Sequence, residues 1–137
     1  MAVALLATIP AQAKPKTLST TSSTVPVTLR LSAAEPVASV HYKTCAVSVA
    51  SGADGLDVLQ AATTSGCISG YETQNFGFGE FVTCIDGICG TDATYWRMTE
   101  NGTYTTYGVS DFSADSGDEL GFSYTQWATC LADGSLC

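Results

Sequence analysis

Basic charge is scarce in this sequence. Five Lys and Arg stand against thirteen Asp and Glu in 137 residues, a formal net charge of −8. A surface of that sign is repelled by phosphate backbones and anionic headgroups, so nucleic acid and membrane surfaces are set aside as partners. Histidine occurs once, at His41 in a β-rich stretch, and no serine stands in a nucleophile motif. A nucleophile, base and orienting group therefore cannot be assembled from recognisable parts. Phosphate loops and dinucleotide fingerprints are missing as well. Asp115, Asp118 and Glu119 lie close together on a Gly-Ser turn, where acidic residues are ordinary. The stretch Asp115–Asp118 is too short and too poor in oxygen ligands for a calcium loop. No apolar run reaches the roughly 20 residues that span a bilayer. These absences leave no positive sign of an enzyme and no chemistry that requires a cofactor or metal.

What is present suits an exported β-domain. Residues 1–13 carry no charge and end in Ala11-Gln12-Ala13, the apolar core and small-residue cleavage site of a signal peptide without its basic leader. Residues 14–24 are rich in Ser, Thr and Pro and are expected to be a flexible segment. Residues 25–137 are long enough to bury a core and are expected to form one domain. Six cysteines, Cys45, Cys67, Cys84, Cys89, Cys130 and Cys137, all follow the leader. An even number in an exported chain argues for disulfides and a secreted protein; zinc would require closely spaced pairs with further Cys or His partners. In Cys84-Ile-Asp-Gly-Ile-Cys89, Asp86-Gly87 is a two-residue hairpin turn. Ile85 and Ile88 then form the hydrogen-bonded pair beside it, and Cys84 faces Cys89 at the next rung, where side chains approach most closely. A Cys84–Cys89 bridge is expected; the other four cysteines allow three pairings.

Along Val25–Leu31, Val25, Val27, Leu29 and Leu31 share one face, which marks a half-buried strand. Val37–Val49 supplies one long or two short strands. Asp54 can cap a helix over Gly55–Thr63, with Leu56, Leu59 and Ala62 or Thr63 on one face and Gly66 beyond its end. Thr94–Glu100 and Thr103–Tyr107 are strands joined by Asn101-Gly102, with Thr99 opposite Tyr104 and Trp96 opposite Tyr107. Asn101-Gly102-Thr103 is also a glycosylation acceptor sequence. Glu119–Trp127 is a last strand. The expected fold is α+β: a mainly antiparallel sheet of about six strands with one short helix packed on it, β-grasp-like and disulfide-stapled.

Aromatic residues gather in the middle of the chain. Phe76, Phe78, Phe81, Tyr95, Trp96, Tyr104 and Tyr107 fall around two glycine-bearing hairpins. Many such rings form core or cross-strand pairs, but a surface lined by them with nearby amides would suit a flat, mostly apolar ligand.

The order of motifs is informative. Val47-Ser-Val-Ala-Ser-Gly-Ala-Asp-Gly-Leu-Asp-Val-Leu-Gln-Ala-Ala62, Phe78-Gly79, Ile85-Asp-Gly-Ile88, Thr94-Tyr-Trp96, Gly108-Val-Ser-Asp-Phe112 and Phe122-Ser-Tyr-Thr-Gln-Trp127 together resemble the C-terminal β-domain of transcobalamin and intrinsic factor. The resemblance spans roughly Val25 to Trp127. It implies a ligand site for cobalamin or a related corrinoid on two segments. One is Gly77, Phe78, Gly79, Glu80, Phe81 and Val82. The other is Trp96, Arg97, Met98, Thr99, Glu100, Asn101, Gly102 and Thr103. Phe78 stands where those carriers have Trp, and Glu80 replaces an apolar residue. Their large helical domain has no counterpart in these 137 residues, so closing the site would fall to a partner or a second copy. An extracellular protein-interaction or adhesion module that keeps the fold without the vitamin is the alternative expectation.

Overall fold

The alternation along β1 (Thr24–Ala33) does what its sequence requires: Val27, Leu29 and Leu31 are buried while Arg30 faces solvent. A computed structural model describes residues 23–33 and 42–127 of the chain. After β1 come β2 (Lys43–Ala50), α1 (Gly55–Thr64), β3 (Tyr71–Asn75), β4 (Glu80–Ile85), β5 (Ile88–Cys89), β6 (Thr94–Glu100), β7 (Thr103–Tyr104), a 3-10 turn (Val109–Asp111) and β8 (Asp118–Gln126). They form a five-stranded sheet in the order β2-β1-β8-β6-β7 and a three-stranded sheet in the order β3-β4-β5. Every strand pair is antiparallel except β1 with β8, which run parallel through the centre of the larger sheet. Helix α1 covers one face of that sheet. The result is the expected α+β, disulfide-stapled fold with a helix on a mainly antiparallel sheet.

Asp54 caps α1 through a full capping box. Its carboxylate accepts from the Asp57 amide at 3.0 Å, and Asp57 accepts from the Asp54 amide at 3.3 Å. Two orphan donors of the first turn are thereby satisfied beside the positive helix end. Beyond the C-cap Ser65, Gly66 takes the left-handed conformation (φ +81°) that ends helices. The buried face is Val58, Leu59 and Ala62. Leu56, expected on that face, is only partly buried against the core, because the stripe runs through Gly55, Val58, Leu59 and Ala62, displaced toward the N-terminus of the expected one. These side chains meet Leu29, Val47, Leu120 and Phe122 in one apolar core. The Cys45–Cys67 disulfide staples β2 to the segment after α1, which selects one of the pairings the sequence left open.

Two expectations need correction. There are eight strands among the described residues, not about six, and they divide into two sheets. β5 and β7 are two residues each, too short to be seen as separate periodic runs. Thr99 does face Tyr104, but Trp96 does not face Tyr107: β7 stops at Tyr104, and Trp96 pairs with Tyr124 of β8. The chain leaves the ladder after Thr105 because it must reach Gly108, which lies so close to Glu80 that a Cβ there would run into the Glu80 backbone. His41, Cys130, Cys137, the leader 1–13 and all of the Ser/Thr segment except Ser23 and Thr24 lie outside the described residues; Thr24 begins β1 rather than ending that segment.

Candidate ligand groove

The β4–β5 hairpin is built by local sequence. Asp86 and Gly87 both adopt positive φ (54° and 81°), as a turn that matches the strand twist demands. Ile85 pairs with Ile88 and Cys84 with Cys89, and the latter pair is bridged. The Asp86 carboxylate accepts from Lys43 Nζ at 2.7 Å and from the Ser69 amide at 2.8 Å, and Lys43 also donates to the Cys67 carbonyl. The Lys43 hydrogen bond, against an opposing effect of burial, holds the Asp86 carboxyl below its ordinary pKa. The turn is thus tied to the larger sheet and to the other disulfide.

The hairpin is also tied to β6. Trp96 Nε1 donates to the Ile88 carbonyl at 2.8 Å, and Tyr124 Oη donates to the Cys89 carbonyl at 2.7 Å while accepting from Thr94 Oγ1 at 2.9 Å. The Trp96 and Tyr124 rings pack with centroids 4.9 Å apart. On the edge of β6 away from β8, the Thr94 carbonyl accepts from the Thr91 amide and the Met98 carbonyl from the Thr105 amide. Hydrogen-bonding groups alternate between the two edges of a strand, so the Trp96 amide and carbonyl share this edge. No ladder partner meets them among the described residues.

A groove of about 600 Å³ lies along that edge, between β6 and the β4–β5 hairpin. Val82, Thr83, Cys84, Cys89 and Gly90 line it from the hairpin side, and Trp96 and Met98 from β6. Its polar side chains are mainly hydroxyls, those of Thr83, Thr91, Thr94 and Thr105; Arg97 is the one charged residue of the lining. Phe76, Phe78 and Phe81 close one end as a cluster with centroids 5.3–6.5 Å apart. Phe76 is 51 % and Phe78 74 % exposed, an unusual amount of ring surface to leave in water. The Asn75 side chain accepts from the Gly77 amide at 2.7 Å, and Gly77 takes φ +92°, which sets the bend that presents these rings. Elsewhere on the rim, Tyr95 and Trp127 stack at 3.9 Å with planes 12° apart.

Of the site residues expected from sequence, the structure brings six together on the groove: Phe78, Phe81, Val82, Trp96, Arg97 and Met98. Arg97 is buried, with its guanidinium carbon 3.4 Å from the Tyr104 ring centroid. Gly77 and Gly79 shape the β3–β4 connection and Glu80 begins β4, none of them lining the groove, and the Glu80 amide donates to Ser110 Oγ. Thr99 and Gly102 line neither depression, whereas Glu100, Asn101 and Thr103 border a separate shallow one of about 310 Å³. There, Asn101 Nδ2 donates to Asp118 and its Oδ1 accepts from the Glu119 amide, clamping the β6–β7 turn to β8. Tyr107 donates to the Glu100 carboxylate, whose pKa is pushed up by burial first and then by Asp118 and Asp115. Sequence reasoning missed Thr91, Thr94, Thr105, Phe122 and Trp127. Thr94, Phe122 and Trp127 stood only within the family-like motifs, and Thr91 and Thr105, just outside the strands, carried no signal.

A family model described as a domain of unknown function, DUF4430, matches residues 53–126, just over half of the chain. The chain belongs to the DUF4430 family. This DUF4430 chain is also 26 % identical to human transcobalamin-1 over 84 residues, which cover 59 % of the chain and 19 % of that relative. The crystal structure of haptocorrin in complex with Cbi superposes on it with a TM-score of 0.63 at 20 % identity, over 85 % of this chain and 27 % of that one. A putative metal binding protein from Ruminococcus gnavus ATCC 29149 matches with a TM-score of 0.57 at 12 % identity, over 74 % of this chain and 97 % of its own. The DUF4430 domain therefore has the fold of a transcobalamin-like module and spans about a fifth of transcobalamin-1 and about a quarter of haptocorrin. Among its described residues, no group of three or more His, Cys, Asp or Glu is placed to hold a metal ion, and no helix is long and apolar enough to cross a membrane.

Proposed function

We propose that this domain is a secreted binding module, not an enzyme, that holds cobalamin or a related corrinoid in the groove between β6 and the β4–β5 hairpin. The observation that carries the reading is the groove itself: an open strand edge offering the Trp96 amide and carbonyl, flanked by neutral hydroxyls and closed by partly exposed phenylalanines. A flat macrocycle with uncharged amide side arms meets such a lining with rings against rings and amides against backbone. The likeness to haptocorrin, solved with Cbi, supports the same ligand class. The disulfides and the transcobalamin-1 relative are consistent with an extracellular protein.

Titration of the domain from Lys14 with cyanocobalamin and cobinamide, followed by calorimetry and the corrin absorption spectrum, tests this reading. Saturable one-to-one binding is expected, weakened about tenfold by Phe78→Ala, which removes one exposed ring contact. No binding at high micromolar ligand would overturn it. The exposed Phe76 and Phe78 rings favour one other occupant, an extracellular protein that buries them. Capture of such a partner, abolished by the same substitution in a chain that ignores corrinoids, would select that reading.

A further inference from the structure

We propose that the Cys84–Cys89 disulfide is a redox latch on this groove, holding it in its binding form until a dithiol reductant opens it. The latch takes its ligand from the corrinoid reading above, while its mechanism depends only on the hairpin. Both half-cystines line the groove, so the bond is part of its wall. The strand it secures, β5, has two residues and two ladder pairs, which is marginal pairing by itself. Its two carbonyls are the acceptors for Trp96 Nε1 and Tyr124 Oη. The bridge therefore keeps in place the acceptors that join wall to floor.

Two further features separate it from the other disulfide. Cys84 and Cys89 are five residues apart, Cys45 and Cys67 twenty-two. A short ring removes less entropy from the unfolded chain, so the hairpin bridge acts more on local geometry than on global stability. Access differs in degree: each bridge has one buried half-cystine, Cys84 or Cys45, but the other half is exposed at Cys89 and only half-buried at Cys67. Exchange requires a thiolate to reach a sulfur. A dithiol attacks Cys89 Sγ, the Cys84 sulfur leaves as a thiolate, and the reductant's second thiol then displaces Cys89 from the mixed disulfide. Two electrons and two protons reach the protein, and the reductant leaves as a disulfide. The freed two-residue strand moves off, Trp96 and Tyr124 lose their acceptors, and the wall no longer fits the ligand.

The full chain is treated with graded dithiothreitol, alkylated and mapped by mass spectrometry. In parallel, cyanocobalamin affinity is measured, and Trp96 emission is followed in a Trp127→Phe background that leaves one indole. Cys84 and Cys89 are expected to label at reductant levels that leave Cys45 and Cys67 protected. Trp96 emission is expected to shift to the red and affinity to fall at least about tenfold, the loss of one such coupling, with recovery on reoxidation. The double variant Cys84→Ser, Cys89→Ser should reproduce the reduced state without reductant; where it does not fold, the reduced wild-type chain supplies the same readouts. Earlier labelling of Cys45 and Cys67 would overturn the latch, as would unchanged Trp96 emission and affinity once the hairpin is reduced. If the oxidised chain does not bind cyanocobalamin at all, the corrinoid reading fails, and labelling order with Trp96 emission decides the latch alone.

Discussion

Trp96 Nε1 donates to the main-chain carbonyl of Ile88 at 2.8 Å, joining the edge of the five-stranded sheet to the tip of the disulfide hairpin. Each partner belongs to a different sheet, and the groove lies between them. Trp96→Phe keeps a ring but strands the Ile88 carbonyl. A loss of about 1–3 kcal/mol is expected from the unsatisfied acceptor and the smaller ring, read by urea denaturation, together with weaker corrinoid binding. Unchanged stability would mean that water replaces the indole without cost.

The two disulfides should differ in weight. Replacing Cys45 and Cys67 by Ala should cost about 3 kcal/mol, and replacing Cys84 and Cys89 about 2 kcal/mol, following the sizes of the loops they close. Denaturation midpoints of the two double variants check the order, and a reversal would show that native-state contacts outweigh chain entropy here.

Glu100 should make the domain more stable on mild acidification. Its folded pKa is raised, chiefly by burial, above the ordinary 4.5, so the folded state takes up this proton at a higher pH than the unfolded chain does. Between those two values the folded state binds more protons, and stability rises as pH falls. Glu100→Gln removes the penalty while leaving an acceptor for Tyr107. It should stabilise the protein at neutral pH by up to about 1 kcal/mol, with no difference near pH 3, where both side chains are uncharged. Melting curves across that range test the sign, and equal stability at neutral pH would refute it.

Gly108 is a position where any side chain should be expensive. Its φ of −83° suits other residues, but a Cβ would meet the Glu80 backbone at the start of β4. Gly108→Ala should therefore cost about 1–3 kcal/mol by overpacking and displace the start of β4 with the Phe76–Phe78 turn before it. Amide exchange at Glu80, which bonds Ser110, reports that displacement directly, and protection equal to wild type would show that the junction yields.

Local chemistry was legible wherever neighbours in sequence are neighbours in space. The Asp54 helix cap, the Asp86-Gly87 turn with its Cys84–Cys89 bridge, and the Thr99–Tyr104 rung all follow from spacing, since residues two to five apart leave the backbone few choices. The alternation in β1 likewise announced a buried face without saying which strands would flank it. Its parallel pairing with β8 joins residues about ninety positions apart, and nothing local encodes a partner at that distance. The same holds for the groove. Phe78 and Trp96 stood out by type, but Thr94, Thr105 and Phe122 become lining residues only when two sheets meet and one edge of β6 is left open. By itself the sequence determined the turns, the cap, one disulfide and the helix-on-sheet class, because these depend on short-range geometry and periodicity. The second disulfide, the division into two sheets and the groove between them were decided by tertiary structure, because each depends on which distant strands share a core.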